Sequence, residues 1–194
     1  MRLIAVCLLA SVLIPSLSRA QGVPVFAIST ADSSIKFNVK ASVPIGGTFD
    51  QWNATLTFTS TDVTTGTLDV EIQAASVDTG SGMKDSKLKS SDFFDVVANP
   101  LITFKSTNIS QTSPNTFEVD GNFTIRGVTR LEKLTLAVSG VGTGSGQIKG
   151  TLYFDRKDYG MNSGIPFIRI ANRVEVNVDL KGNRVSGPPL VLKQ

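Results

Sequence analysis

The side chains able to do chemistry in this chain are few, and the missing types are as informative as those present. The sequence contains no histidine and one cysteine, Cys7, which sits inside an apolar run at the amino terminus. Without an imidazole or thiol in the body of the chain, Ser-His and Cys-His nucleophilic pairs and zinc sites of the His/Cys type cannot be assembled. Carboxylate pairs remain: Asp92 with Asp95 around Phe93-Phe94, and Asp155 with Asp158 around Arg156-Lys157. The first pair fits helix-cap chemistry. The second lies in a run of alternating opposite charges that pair with one another at a strand end or turn. Both read as structural, so no catalytic residue, metal or cofactor is expected, and nothing among these residues nominates the acid or base of an enzyme.

The element that positions the first pair is the stretch from Met83 to Phe104, where strand-like alternation breaks. Asp85 can cap a short helical turn reaching Ser91, because its side chain accepts orphan backbone donors. Phe93 and Phe94 carry more apolar area than one exposed turn can leave in water, so they should press onto a sheet as a plug. Asn99-Pro100 ends the excursion, since the residue before proline is pushed towards extended geometry, and Ile102 and Phe104 resume a two-residue period.

Residues 1–20 read as a secretory signal peptide: Arg2 supplies the positive end, Leu3 to Ile14 is almost wholly apolar, and Ser18-Arg19-Ala20 offers a small-residue cleavage site. Residues 21–194 then form a single domain, periplasmic or secreted, without cysteine. Loss of Arg2 and Arg19 takes the formal net charge from +3 to +1. A near-neutral surface with scattered charges gives no footprint for nucleic acid, and no stretch is long and apolar enough for a membrane-spanning helix. The sequons at Asn53, Asn108 and Asn122 matter only in a host that glycosylates them. The run Gly142 to Gly146 lacks the residues of a phosphate loop and reads as a hairpin. The tail from Asn183, with Pro188-Pro189, either drapes over the domain or hangs free.

Alternation organises the rest. Ile35, Phe37 and Val39 oppose Lys36, Asn38 and Lys40, and Phe117 to Arg126 holds the same period without a break. Similar runs occur at Leu56–Phe58, Leu68–Ile72, Ile102–Phe104, Leu134–Val138, Ile148–Phe154 and Val174–Leu180, giving roughly eight strands and no competing long helix. Such strands must close or pair to hide their edges and apolar faces, so the expected fold is all-β, an extended eight-stranded antiparallel barrel with a short helical insertion near residues 83–95. An outer-membrane barrel is the rival; charges along the polar faces and the scarcity of Trp and Tyr count against it. An eight-stranded barrel can be filled by its own side chains or can hold one small ligand. From pattern alone a filled core is favoured, with Gly121 and Gly150 inward as either bends or spaces.

Several motifs resemble those of the YceI-like family of lipocalin-like secreted bacterial proteins. They are Phe49 and Trp52; Ala75-Ser76-Val77-Asp78-Thr79-Gly80; Lys84-Asp85 followed by Leu88 to Asp95; Pro100 through Phe104 to Ser106; Gly121 to Thr129; and Arg156-Lys157-Asp158-Tyr159-Gly160-Met161. The resemblance covers about Phe26 to Gly182. It implies a hollow barrel: a long apolar tunnel closed on one side by the insertion and holding an isoprenoid-type lipid, polyprenyl or quinone-like. Under that implication the lining is Phe37, Phe49, Phe58, Phe104, Phe123, Ile125 and Phe154, with Phe93 and Phe94 near the cover. Where the family commonly has a histidine before the leucine of the insertion, this chain has Lys87, a cation suited to an anionic head group. The rival readings are a filled structural or adhesive barrel and an enzyme acting on the same lipid. Self-association to a homodimer is left open.

Overall fold

A computed structural model describes residues 22–140, 143–164 and 167–192. The segment read as a signal peptide lies outside the described residues, as do 141–142 of the glycine-rich run. The elements, in chain order, are β1 (Val25–Ala41), β2 (Ile45–Phe49), β3 (Trp52–Phe58), β4 (Gly66–Gln73), β5 (Val77–Asp78), helix α1 (Gly82–Lys89), β6 (Leu101–Ser113), β7 (Thr116–Ile125), β8 (Val128–Ser139), β9 (Ser145–Asp155) and β10 (Ile170–Ser186).

All ten strands belong to one curled antiparallel sheet, ordered β3-β4-β6-β7-β8-β9-β10-β1-β2-β5. The excess over the expected eight has a simple cause. β2 and β3 are one ribbon bent at Asp50-Gln51, and β4 and β5 are its partner, bent at 74–76. The pairing runs on through the corner, from Thr48↔Asp78 and Phe49↔Val77 to Trp52↔Ile72, by way of Asp50 N–H to Ser76 O (3.2 Å) and Gln73 N–H to Gln51 O (2.9 Å). The two ends of the strand order are therefore the two halves of one bent pair, and the sheet curls into a lipocalin-like barrel. Its seam is laddered only at one end, where Lys36–Val39 pair with Ile45–Thr48. Further along, β1 runs beside β3 with no ladder between them.

The alternation decides which side faces in. Ile35, Phe37, Leu68, Val70, Ile72, Phe117, Val119, Phe123 and Ile125 are buried, while their neighbours point outward, where Lys133 Nζ meets Glu118 Oε2 at 2.6 Å. Gly121 and Gly150 do point inward, and their places are taken. A Cβ on Gly121 would lie 2.4 Å from the Phe104 ring, and one on Gly150 would lie 2.5 Å from Leu136. The barrel is thus packed across its waist by Ile35, Val70, Phe104, Val119, Leu134 and Leu152.

The insertion between β5 and β6 covers one end. α1 starts at Ser81, not at Asp85. Asp85 lies inside the first turn and its carboxylate reaches back to the loop, accepting from Thr79 N–H (2.9 Å) and Thr79 Oγ1 (2.7 Å). Those bonds hold its pKa below the usual aspartate value. The helix buries no residue completely; Phe93 and Phe94, in the turn that follows, do. At the opposite end the tail drapes over the barrel, with Val191 N–H bonded to Thr61 O at 2.8 Å.

Candidate functional site

Beneath the insertion lies an apolar chamber of about 490 Å³. Seven strands supply its walls, with Phe37 from β1, Phe49 from β2, Ile72 from β4, Ile102 from β6, Phe123 and Ile125 from β7, Phe154 from β9 and Val174 from β10. Leu88, Phe93 and Phe94 form its ceiling, and Met161 and Ile168 close it from the loop before β10, with Ile170 at the first position of that strand. Two aromatic groups stand on different walls: Phe37, Phe49 and Phe94, with centroids 5.7 and 5.9 Å apart in sequence, and Phe123, Phe154 and Tyr159, at 5.2 to 5.6 Å.

The structure brings seven of the nine expected apolar lining residues to this chamber: Phe37, Phe49, Phe93, Phe94, Phe123, Ile125 and Phe154. The other two lie elsewhere. Phe58 lines a second cavity of about 120 Å³ at the tail-covered end, among Phe26, Leu56, Ile109 and Phe117. Phe104 borders neither cavity, because its ring lies over Gly121 in the packed waist. The lumen is therefore two chambers of unequal size, not one long tunnel. Periodicity assigns a residue to the inner face and says nothing about which level of the barrel is filled.

Lys87 borders the chamber, but its charge is engaged. Nζ pairs with Asp92 Oδ2 and lies 5.9 Å from the Phe93 centroid. Asp92 also accepts from Ser163 Oγ at 3.1 Å, so it ties the insertion to the loop before β10. The Lys87 bond, and after it the Ser163 bond, hold the Asp92 carboxyl below its usual range. Arg126 makes the companion tie, donating from Nη1 to Gly160 O (2.6 Å) and from Nη2 to Ser91 O (2.8 Å). Two of the other carboxylates make local bonds. Asp155 Oδ1 accepts from Lys157 N–H at 2.8 Å, and Asn99 Nδ2 reaches Asp95 Oδ2 at 3.4 Å.

Sequence reasoning missed Arg156 and Tyr159. The charges of Asp155 to Asp158 were expected to pair with one another, yet Arg156 turns inward, is 7% exposed and borders the chamber. The two-residue period carried the signal, since Arg156 follows Leu152 and Phe154 on the inner face. Tyr159 is fully buried and donates to Glu132 Oε1 at 2.7 Å. Burial, and then that carboxylate, push its phenol well above the ordinary tyrosine range.

The model described as the YceI-like domain matches residues 26–182. The chain belongs to the YceI-like family. Among curated relatives, a UPF0312 protein of Azotobacter vinelandii is 32% identical over 84 residues, which is 43% of this chain and 44% of the relative. The chain thus spans about half the length of the curated relatives it first matches. Among solved structures, BcnA of Burkholderia cenocepacia is 24% identical, superposing on 80% of this chain and 99% of its own with a TM-score of 0.73. A domain from Saccharophagus degradans, described as polyisoprenoid-binding and implicated in plant cell wall breakdown, is 13% identical, with a TM-score of 0.63 over 83% of this chain and 99% of its own. These two likenesses establish a shared YceI-like barrel.

Proposed function

We propose that this YceI-like protein binds and carries an isoprenoid-type amphiphile, with the apolar tail lodged in the chamber beneath the insertion. The observation that carries the reading is the chamber itself, about 490 Å³ lined by side chains that are almost all apolar and partly open to the outside. That is roughly three times a cavity of about 150 Å³ that takes up benzene, and it falls within the span of small-molecule pockets. Each methylene withdrawn from water contributes about 0.8 kcal/mol, so a branched tail binds firmly by area alone. The name of the Saccharophagus neighbour supports the same class of ligand. The packed waist sets a limit on tail length, since a chain longer than the chamber must leave part of itself outside.

The protein acts as a carrier and not as a catalyst in this reading. Among the described residues the polar side chains bordering the chamber are Ser81, Lys84, Lys87 and Arg156, without a carboxylate to accept a proton. The amino-terminal segment supports a periplasmic or secreted setting. Solvent extraction of protein purified from its native host, followed by mass spectrometry, should recover a prenyl lipid, and stripped protein should take one up. Protein that neither carries nor acquires such a lipid sinks the reading.

A further inference from the structure

Arg156 is the most deeply buried charge in the chamber wall, and its surroundings leave it incomplete. Nε donates to Ala171 O at 3.2 Å, and Nη1 donates to Met161 O and to Ser163 O, the latter at 2.9 Å. Nη2 has no hydrogen-bond partner among the described residues, and no carboxylate lies within 4 Å of the guanidinium. Carbonyl dipoles hold the group in place without neutralising it. A guanidinium 7% exposed and without a counter-ion is costly to hold in a wall, and its Nη2 is not sealed away but keeps access to the open space of the chamber.

The neighbouring cations do not provide one. Lys87 is neutralised by Asp92, and Lys84, half-buried, spends its Nζ on Pro44 O at 3.3 Å. The other arginines near this end do not border the chamber: Arg130 donates to Asp158 O at 3.0 Å, Arg173 lies over the Tyr153 ring, and Arg126 spends both terminal nitrogens on carbonyls that clamp the cover, its buried Nε alone being left without a partner. Among the described residues, Arg156 alone couples a fixed, buried guanidinium to an open N–H pair on the wall of an apolar chamber. Guanidinium N–H groups match the oxygens of phosphates and carboxylates.

We propose that Arg156 is the polar anchor of the chamber, and that it selects an amphiphile with an anionic head group over the uncharged alcohol bearing the same tail. This rests on the lipid-carrier reading and adds to it the charge of the ligand and the residue that reads it.

The test uses displacement of a hydrophobic fluorescent dye by farnesyl phosphate, by farnesol and by inorganic phosphate. The wild-type protein should take farnesyl phosphate at least about tenfold more tightly than farnesol, the increment expected of one charge-assisted hydrogen-bonded pair. Inorganic phosphate should neither displace the dye nor raise the melting temperature. Arg156→Gln should bring the two prenyl ligands to similar affinity, and Arg156→Lys, which keeps the charge if the loss of the carbonyl bonds unfolds the glutamine variant, should retain part of the preference. Equal wild-type affinities overturn the proposal while leaving the carrier reading intact; failure of both prenyl ligands overturns the carrier reading itself. Stabilisation by inorganic phosphate alone marks a free-anion site and overturns the proposal. A preference that survives in Arg156→Gln but vanishes in Lys87→Met assigns selection to the rim and overturns it as well.

Discussion

The two ends of the barrel are spanned by the same strands with the same alternation, yet the end beneath the insertion encloses about 490 Å³ and the end beneath the tail about 120 Å³. At the tail end, apolar groups converge from every side: Phe26 meets Phe58 edge-on at 5.7 Å, and Leu190 and Leu192 descend from the tail. At the insertion end the cover is held by polar ties along its margin. Arg126 grips Ser91 and Gly160, and Asp92 grips Lys87 and Ser163, so Phe93 and Phe94 roof the space without sinking into it. The insertion is held by several side-chain ties along its margin and leaves the space beneath it open, whereas the tail, tied by the backbone bond of Val191 to Thr61, sends Leu190 and Leu192 into the space it covers.

That contrast is open to measurement. Phe117→Ala at the tail end should cost about 3–5 kcal/mol in urea unfolding, because the ring is 2% exposed and the cavity it borders, about 120 Å³, is much the smaller of the two. Phe94→Ala, whose ring already borders empty space, should cost clearly less and should weaken lipid uptake instead. Equal costs would mean that the two ends do not differ in packing. Phe104→Ala removes the partition between the chambers; it should also cost about 3–5 kcal/mol and, in a folded sample, move the preferred prenyl tail to greater length. Unchanged length preference in dye displacement would show that the waist does not set it.

Gly121→Ala acts on the same partition from the other side. The new methyl meets the Phe104 ring, so a loss of about 1–3 kcal/mol is expected, and a neutral result would mean that the ring moves freely. The smallest effect concerns the polar ties. The Asp92 carboxyl titrates lower in the folded protein than in the unfolded chain, so its contribution is present above the usual aspartate pKa of about 3.9 and is lost as pH falls through the folded value. Dye retention should therefore fall on acidification within that low range, and Asp92→Asn should weaken retention even at neutral pH. A variant with the wild-type acid profile would remove Asp92 from the tie.

Much of the fold is legible along the chain because a half-buried strand writes its inner face at every second residue. Ile35-Phe37-Val39 and Phe117 to Ile125 are read directly in this way. The bent ribbons were harder, since Asp50-Gln51 and Ala74-Ser76 interrupt the period without ending the pairing. Seven chamber residues were named for the same reason that two were misplaced: Phe58 and Phe104 share the inner face but sit at other levels. Arg156 was overlooked because a charge in a charged run reads as surface, although its parity places it inside. Asp85 was assigned one turn too early, since a carboxylate within the first helical turn and one at the cap look alike until Thr79 is seen to be its partner.

What the sequence by itself determined is the all-β class, the face of each strand that turns inward, the covering insertion and the YceI-like family, because each is written in short-range period or in local motif. Only the tertiary structure decided where the interior is empty, that Phe104 divides it and that Arg156 stands uncompensated in its wall. Those depend on how far opposite walls stand apart and on which side chains meet across the barrel, distances that arise from closure of the sheet and are carried by no single segment.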